Sequence, residues 1–169
     1  NVPVWVDRSA DPTHTARCLA ASKTFDYGTL CSSEQAIVID APVKAKLLEA
    51  LTQERAVLVA GADREKLARL VQLPGGGLNT KVVGLPAARL AQMAGFAVPP
   101  DTTILLAEET GVGPDHPFSM EILAPVLAVF TEAGWEAGCE RCVQLLRYGG
   151  MGHTLGIHAA DEKVIREFA

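Results

Sequence analysis

Short apolar runs rich in Val, Ile and Leu recur along this chain, most of them followed by a helical pattern of about ten residues. That alternation leaves few folds open. Strands joined by helical crossovers pair in parallel, and a parallel sheet needs helices over both faces. Val2-Pro3-Val4-Trp5-Val6 reads as the first strand, and Asp11-Pro12 opens a helix through about Phe25, with proline in the first turn where its missing N–H costs nothing. Gln35 to Asp40 is a second strand, apolar almost throughout, as in a strand buried on both sides. Pro42 to Glu54 reads as an amphipathic helix, Ala56 to Ala60 as a strand and Asp63 to Gln72 as a helix. Pro74-Gly75-Gly76-Gly77 is a loop, and Leu85 to Ala94 a helix ended by Gly95. After the turn at Pro99-Pro100-Asp101 come the strand Thr103 to Ala107 and an exposed connection, Glu108 to Pro117. Pro125 to Thr131, Gly134 to Tyr148, Thr154 to His158 and Asp161 onward read as strand, helix, strand and helix. The expectation is one α/β domain over residues 1–169, a three-layer α/β/α sandwich with a mostly parallel sheet.

Composition narrows what such a domain can do. An apolar fraction of 49% excludes disorder, and a net charge of −5 with singly scattered Lys and Arg carries no nucleic-acid footprint. No apolar run approaches the roughly 20 residues of a membrane span and no signal peptide opens the chain, so the expectation is a cytoplasmic protein without a membrane partner. The four cysteines, Cys18, Cys31, Cys139 and Cys142, read as reduced thiols. Cys139 and Cys142 have CxxC spacing but lie mid-helix with no second ligand pair nearby, so they are expected to pack inward, and no metal site is expected.

Cys31 is different, because it stands on a loop between a helix and a strand, in the run from Ser22 to Gln35. A thiol attacks only as thiolate, which backbone N–H groups, a helix N-terminus or a nearby cation stabilise. Gly28 allows a tight turn before it, and Ser32 and Ser33 keep the pocket small-sided. Lys23, upstream, reads as a solvated lysine, with thiolate stabilisation as its second reading. Two further elements carry chemical residues: Met120-Glu121-Ile122-Leu123-Ala124-Pro125-Val126, and Gly149-Gly150-Met151-Gly152-His153-Thr154. A carboxylate can accept hydrogen bonds from two neighbouring hydroxyls, and an imidazole can move protons between pH 5 and 8. His14 and His158 have no motif around them.

Phe25-Asp26-Tyr27-Gly28-Thr29-Leu30-Cys31 resembles the nucleophile loop of the CoA-acylating aldehyde dehydrogenases, whose hydrolytic cousins usually read Asn-Gln-Gly-Gln-x-Cys there. The other two elements resemble that family as well. The resemblance implies the catalytic domain of an aldehyde dehydrogenase, with Cys31 as the nucleophile that passes through a thiohemiacetal and a thioester. It implies Glu121 on the ribose of NAD or NADP, and His153 orienting or deprotonating the thiol of coenzyme A or of Cys31. A short-chain aldehyde and CoA would be the substrates, and the run Gly75 to Lys81 is where CoA contacts are expected. It also implies that the dinucleotide-binding domain and the C-terminal oligomerisation strand lie outside this segment. The parent would be a homo-oligomer, in the cytoplasm or in a bacterial microcompartment of the ethanolamine or propanediol type. The competing readings are a hydrolytic aldehyde dehydrogenase or related semialdehyde reductase, and a non-catalytic assembly or docking module.

Overall fold

The computed structural model describes residues 1–168. The strands are β1 (Pro3–Val6), β2 (Ala36–Asp40), β3 (Ala56–Val59), β4 (Ile104–Glu108), β5 (Val126–Glu132) and β6 (Gly156–His158). The helices are α1 (Pro12–Thr24), α2 (Lys44–Gln53), α3 (Gly61–Val71), α4 (Ala87–Ala94), α5 (Trp135–Gly149) and α6 (Glu162–Phe168). The strands form one sheet in the order β3-β4-β5-β2-β1-β6, and every pairing within it is parallel.

Right-handed crossovers dictate where the helices go. The steps β1 to β2 and β2 to β3 travel one way across the sheet, and both put their helices, α1 and α2, on one face. The steps β3 to β4 and β5 to β6 travel the other way, and α3, α4 and α5 cover the opposite face. Alternate strand residues divide accordingly. Val4, Val6, Ile37, Ile39, Ile104 and Leu106 pack under α1 and α2, whereas Trp5, Val38, Leu105, Ala107, Ala128 and Phe130 pack under the other layer. This is the three-layer α/β/α arrangement expected from the sequence. Each fully buried aliphatic side chain in it contributes about 1.5–3 kcal/mol.

Local chemistry sets the helix ends. The Asp11 side chain accepts the His14 backbone N–H at 2.9 Å, capping α1 as the Asp-Pro pair implied. Helix α4 starts at Ala87 rather than Leu85, because Pro86 lies extended as its N-cap, and it ends at Gly95 with φ +85°. In α5, a Cβ on Gly138 would lie 2.2 Å from the Trp5 ring, so the indole rests directly on the helix backbone. Trp5 also stacks against Phe168, ring centroids 6.2 Å apart.

The connection after β4 differs from the exposed loop that its composition suggests. Glu109 is buried, with Oε2 3.1 Å from the Arg64 guanidinium and Oε1 2.9 Å from His116 Nδ1. Arg64 also lies over the Phe118 ring, 5.0 Å from its centroid. One buried carboxylate thus ties the loop to α3, a contact with no local signal in the sequence.

Cys142 is buried in the core and Cys139 packs against it from a half-buried position, as their helical spacing implied. Burial pushes the Cys142 thiol up, and Cys139 and Glu132 add to the effect. Alkylation of the folded protein with iodoacetamide near neutral pH is therefore expected to modify exposed Cys31 and spare Cys142 until unfolding. Peptide mass mapping reads this directly, and early labelling of Cys142 would contradict the packing.

Candidate active site at the amino edge of the sheet

In a parallel sheet all strands begin on one edge, so the segments leading into neighbouring strands come together there. Cys31 lies five residues before β2, Glu121 five before β5, His153 three before β6 and Asn1 two before β1. These four strands are contiguous, in the order β5-β2-β1-β6. Residues scattered over more than a hundred positions of sequence thereby share one edge. It is the opposite edge from the carboxyl ends where open parallel sheets usually bind ligands.

The loop that carries Cys31 is strained. After Thr24 the backbone turns left-handed for three consecutive residues, Asp26 (φ 46°), Tyr27 (φ 52°) and Gly28 (φ +76°). For residues with a Cβ this conformation costs about 1–2 kcal/mol each. Thr29 holds the turn by donating its hydroxyl toward Asp26 Oδ2 at 2.6 Å and Asp26 O at 3.0 Å. A second short turn, Ser33 N–H to Leu30 O at 3.0 Å, leaves Leu30 and Cys31 exposed.

Gly28 presses on the Glu121 segment, since a Cβ built there would lie 2.8 Å from both C and O of Ala124. In that segment Leu123 is also left-handed (φ 53°), and its carbonyl accepts the Gly84 N–H at 3.0 Å. Gly84 in turn backs onto Thr29. Three loops, those before β2, before β5 and after α3, therefore lock together beside Cys31. The run Gly75 to Lys81, singled out for CoA, belongs to the third loop; its glycines sit in an open turn closed by Leu73 N–H to Gly77 O at 3.0 Å. Contact with the Cys31 loop comes from Gly84, three residues beyond Lys81, a position that spacing alone did not mark.

Glu121 is partly exposed, with Oε1 3.6 Å from the main-chain nitrogen of Asn1. The Asn1 side chain donates to Ser119 O at 2.7 Å, and its Cβ rests on Gly149, where an added Cβ would be only 2.2 Å away. Asn1 thus joins the Glu121 segment to the start of the glycine run. His153 stands exposed beyond it, its Nδ1 accepting the Thr154 N–H at 2.7 Å. That bond leaves the proton on Nε2, which faces away from the backbone it caps. The described contacts do not join His153 to Cys31 or Glu121.

Lys23 departs from expectation. It is not solvated but has 0% exposure, and Nζ donates to Gln35 Oε1 at 2.9 Å. Gln35 passes the tie on, from Nε2 to Val126 O at 3.3 Å and from its backbone N–H to Val2 O at 2.8 Å. Among the two histidines without a motif, His14 lies at the surface, Nε2 3.5 Å from Cys18 Sγ, and His158 is half-buried in β6 with its pKa lowered by burial. Among the described residues no group of three or more His, Cys, Asp or Glu side chains is placed to hold a metal, and no helix is long and apolar enough to cross a membrane.

The fold and this edge match a segment of acylating aldehyde dehydrogenases. The acetylating aldehyde dehydrogenase of Geobacillus thermoglucosidasius superposes with TM-score 0.97 and 43% identity, over 100% of this chain and 37% of that one. The aldehyde-alcohol dehydrogenase of Streptococcus pneumoniae is 35% identical over 176 aligned positions, 99% of this chain and 20% of that protein. A propionaldehyde dehydrogenase from Rhodopseudomonas palustris, solved with bound CoA and an acylated cysteine, matches at TM-score 0.90 and 26% identity over 100% of this chain and 38% of that one. No protein-family model matches the chain. Along nearly its whole length the chain matches a segment of acylating aldehyde dehydrogenases, and it spans about a fifth to two-fifths of the length of these relatives.

Proposed function

We propose that this segment supplies the nucleophile of an enzyme that oxidises a short-chain aldehyde with NAD or NADP and delivers the acyl group to coenzyme A. Cys31 attacks the aldehyde carbon to give a thiohemiacetal, whose oxygen is met by backbone N–H groups of the loop. Loss of hydride to the nicotinamide leaves a thioester on Cys31. The CoA thiol then displaces Cys31, which returns as thiolate. Glu121 holds the nicotinamide ribose through its hydroxyls, and His153, free at Nε2, steers the proton of the incoming thiol. When bound, the dinucleotide serves only as hydride acceptor.

The observation that carries this reading is the exposed thiol on a doubly braced loop, on the same sheet edge as Glu121 and His153. The acylated cysteine of the Rhodopseudomonas relative supports it. The test is to incubate the full-length enzyme with an acyl-CoA in the absence of reduced dinucleotide and digest it. The peptide containing Cys31 is expected to gain the acyl mass as a hydroxylamine-labile thioester. An acyl group on any other cysteine would displace Cys31 from the role. Cytoplasmic or microcompartment residence and homo-oligomer assembly are properties of the whole enzyme, read by co-fractionation with shell proteins and by light scattering.

A further inference from the structure

Among the described residues every other crossover between successive strands carries an α-helix, but residues 109–125, between β4 and β5, hold only one short turn, Pro117–Ser119. Loops longer than about 12–15 residues with no element of their own are uncommon, and most are functional. This one delivers Glu121 to the amino edge, so whatever fixes its path fixes that carboxylate. Its burial alternates on the approach to β5: Met120, Ile122 and Ala124 face the core, whereas Glu121 and Leu123 stay partly exposed. Ser119 breaks the pattern. By the same count it should be partly exposed, yet its exposure is 0%.

A buried hydroxyl is costly unless it is hydrogen-bonded, and this one is bonded twice. It donates to His116 O at 2.7 Å and accepts the Gly113 N–H at 3.1 Å. The Ser119 N–H donates to the same His116 oxygen at 2.9 Å. The turn that offers these groups is itself pinned, because the His116 ring rests on Gly111 and its Nδ1 lies 2.9 Å from Oε1 of buried Glu109. The Ser119 carbonyl accepts the Asn1 side chain at 2.7 Å, and the main-chain nitrogen of Asn1 stands 3.6 Å from Glu121 Oε1. Ser119 and Glu121 are thus joined twice, through Met120 and through Asn1.

We propose that Ser119 is a positioning residue: its buried hydroxyl closes the turn from Gly113 to His116, its carbonyl holds Asn1, and together they fix where Glu121 presents its carboxylate to the dinucleotide. The proposal rests on the ribose role of Glu121. The test is a double-mutant cycle in the full-length enzyme, Ser119→Ala against Glu121→Gln, read as the dinucleotide dissociation constant. Ser119→Ala alone is expected to raise that constant about three- to tenfold, the scale of one lost polar interaction. In the Glu121→Gln background the same change is expected to alter it by less than about twofold. The loss should appear in KM for the dinucleotide, with kcat and the alkylation rate of Cys31 near wild type. Ser119→Cys fills nearly the same space with a weaker donor and acceptor, so it should fall between wild type and Ser119→Ala, and it carries the test if the alanine variant does not fold. Any broken buried hydrogen bond lowers stability, so coupling to Glu121 decides, and unfolding does not. Wild-type binding in the folded variants would overturn the proposal. So would an equal rise in both backgrounds, which would mean that the serine holds the loop without acting through the carboxylate. Glu121→Gln alone separates the two ideas. If it weakens dinucleotide binding and the Ser119 variants do not, only the role of Ser119 falls; if it leaves binding intact, the ribose assignment falls and takes the serine with it.

Discussion

Replacing Cys31 by alanine is expected to cut acyl-CoA formation by the full-length enzyme by roughly four orders of magnitude or more, the scale on which loss of a covalent nucleophile acts. The loop should survive the change, because its shape comes from the left-handed turn at Asp26 to Gly28 and from the Thr29 contacts, none of which involves the sulfur. Dinucleotide binding and thermal stability should therefore stay near wild type, which separates a lost nucleophile from a lost fold. Serine at position 31 should be nearly as poor, since its hydroxyl has no anion at neutral pH. Product analysis completes the experiment. Wild type should yield acyl-CoA and require CoA, whereas a hydrolytic relative would release acid without it. Turnover within tenfold of wild type in Cys31→Ala would remove the central step of the mechanism.

Gly28→Ala is expected to be nearly as damaging for a different reason. The new methyl would sit 2.8 Å from the carbonyl carbon and oxygen of Ala124 and 3.2 Å from Lys23 O, and these are backbone atoms that cannot swing aside. The residue would also keep a φ of +76°, which alanine adopts at a cost of about 1 kcal/mol or more. Overpacking adds about 1–3 kcal/mol, so a total destabilisation of about 2–4 kcal/mol is expected in thermal or urea unfolding. Activity should fall more than stability implies. To accommodate the methyl, the loop must move away from the Glu121 segment, and a displacement of about 1 Å between reacting groups costs on the order of a hundredfold in rate. A Gly28→Ala enzyme with wild-type turnover and stability would show that the contact with Ala124 is dispensable.

Much of this could be read from the residues. The apolar runs at Val2 to Val6, Gln35 to Asp40 and Pro125 to Thr131 became neighbouring strands, because uninterrupted β-branched character admits little but a strand buried on both faces. The Asp-Pro start of α1 and the glycine stop of α4 were legible because caps act within one turn. What escaped were the contacts made over long sequence distances. Lys23 carries no local mark of burial, since its acceptor Gln35 lies twelve residues away and is itself tied to Val2 and Val126. Glu109 looked like one more acidic loop residue until Arg64 and His116 arrived from elsewhere in the chain. Within the candidate site, the positions of Cys31, Glu121 and His153 before their strands followed from the pattern, but the bracing of Gly28 by Ala124 and of Leu123 by Gly84 did not.

The parallel sheet with its chemistry hung on separate lead-ins has an evolutionary corollary. Each lead-in belongs to its own crossover, so lengthening one by a residue shifts a single functional group while the ladder hydrogen bonds of the strands stay where they are. Such a scaffold can diversify piecemeal, one lead-in at a time, and the interlocked pair before β2 and β5 should be the last to drift.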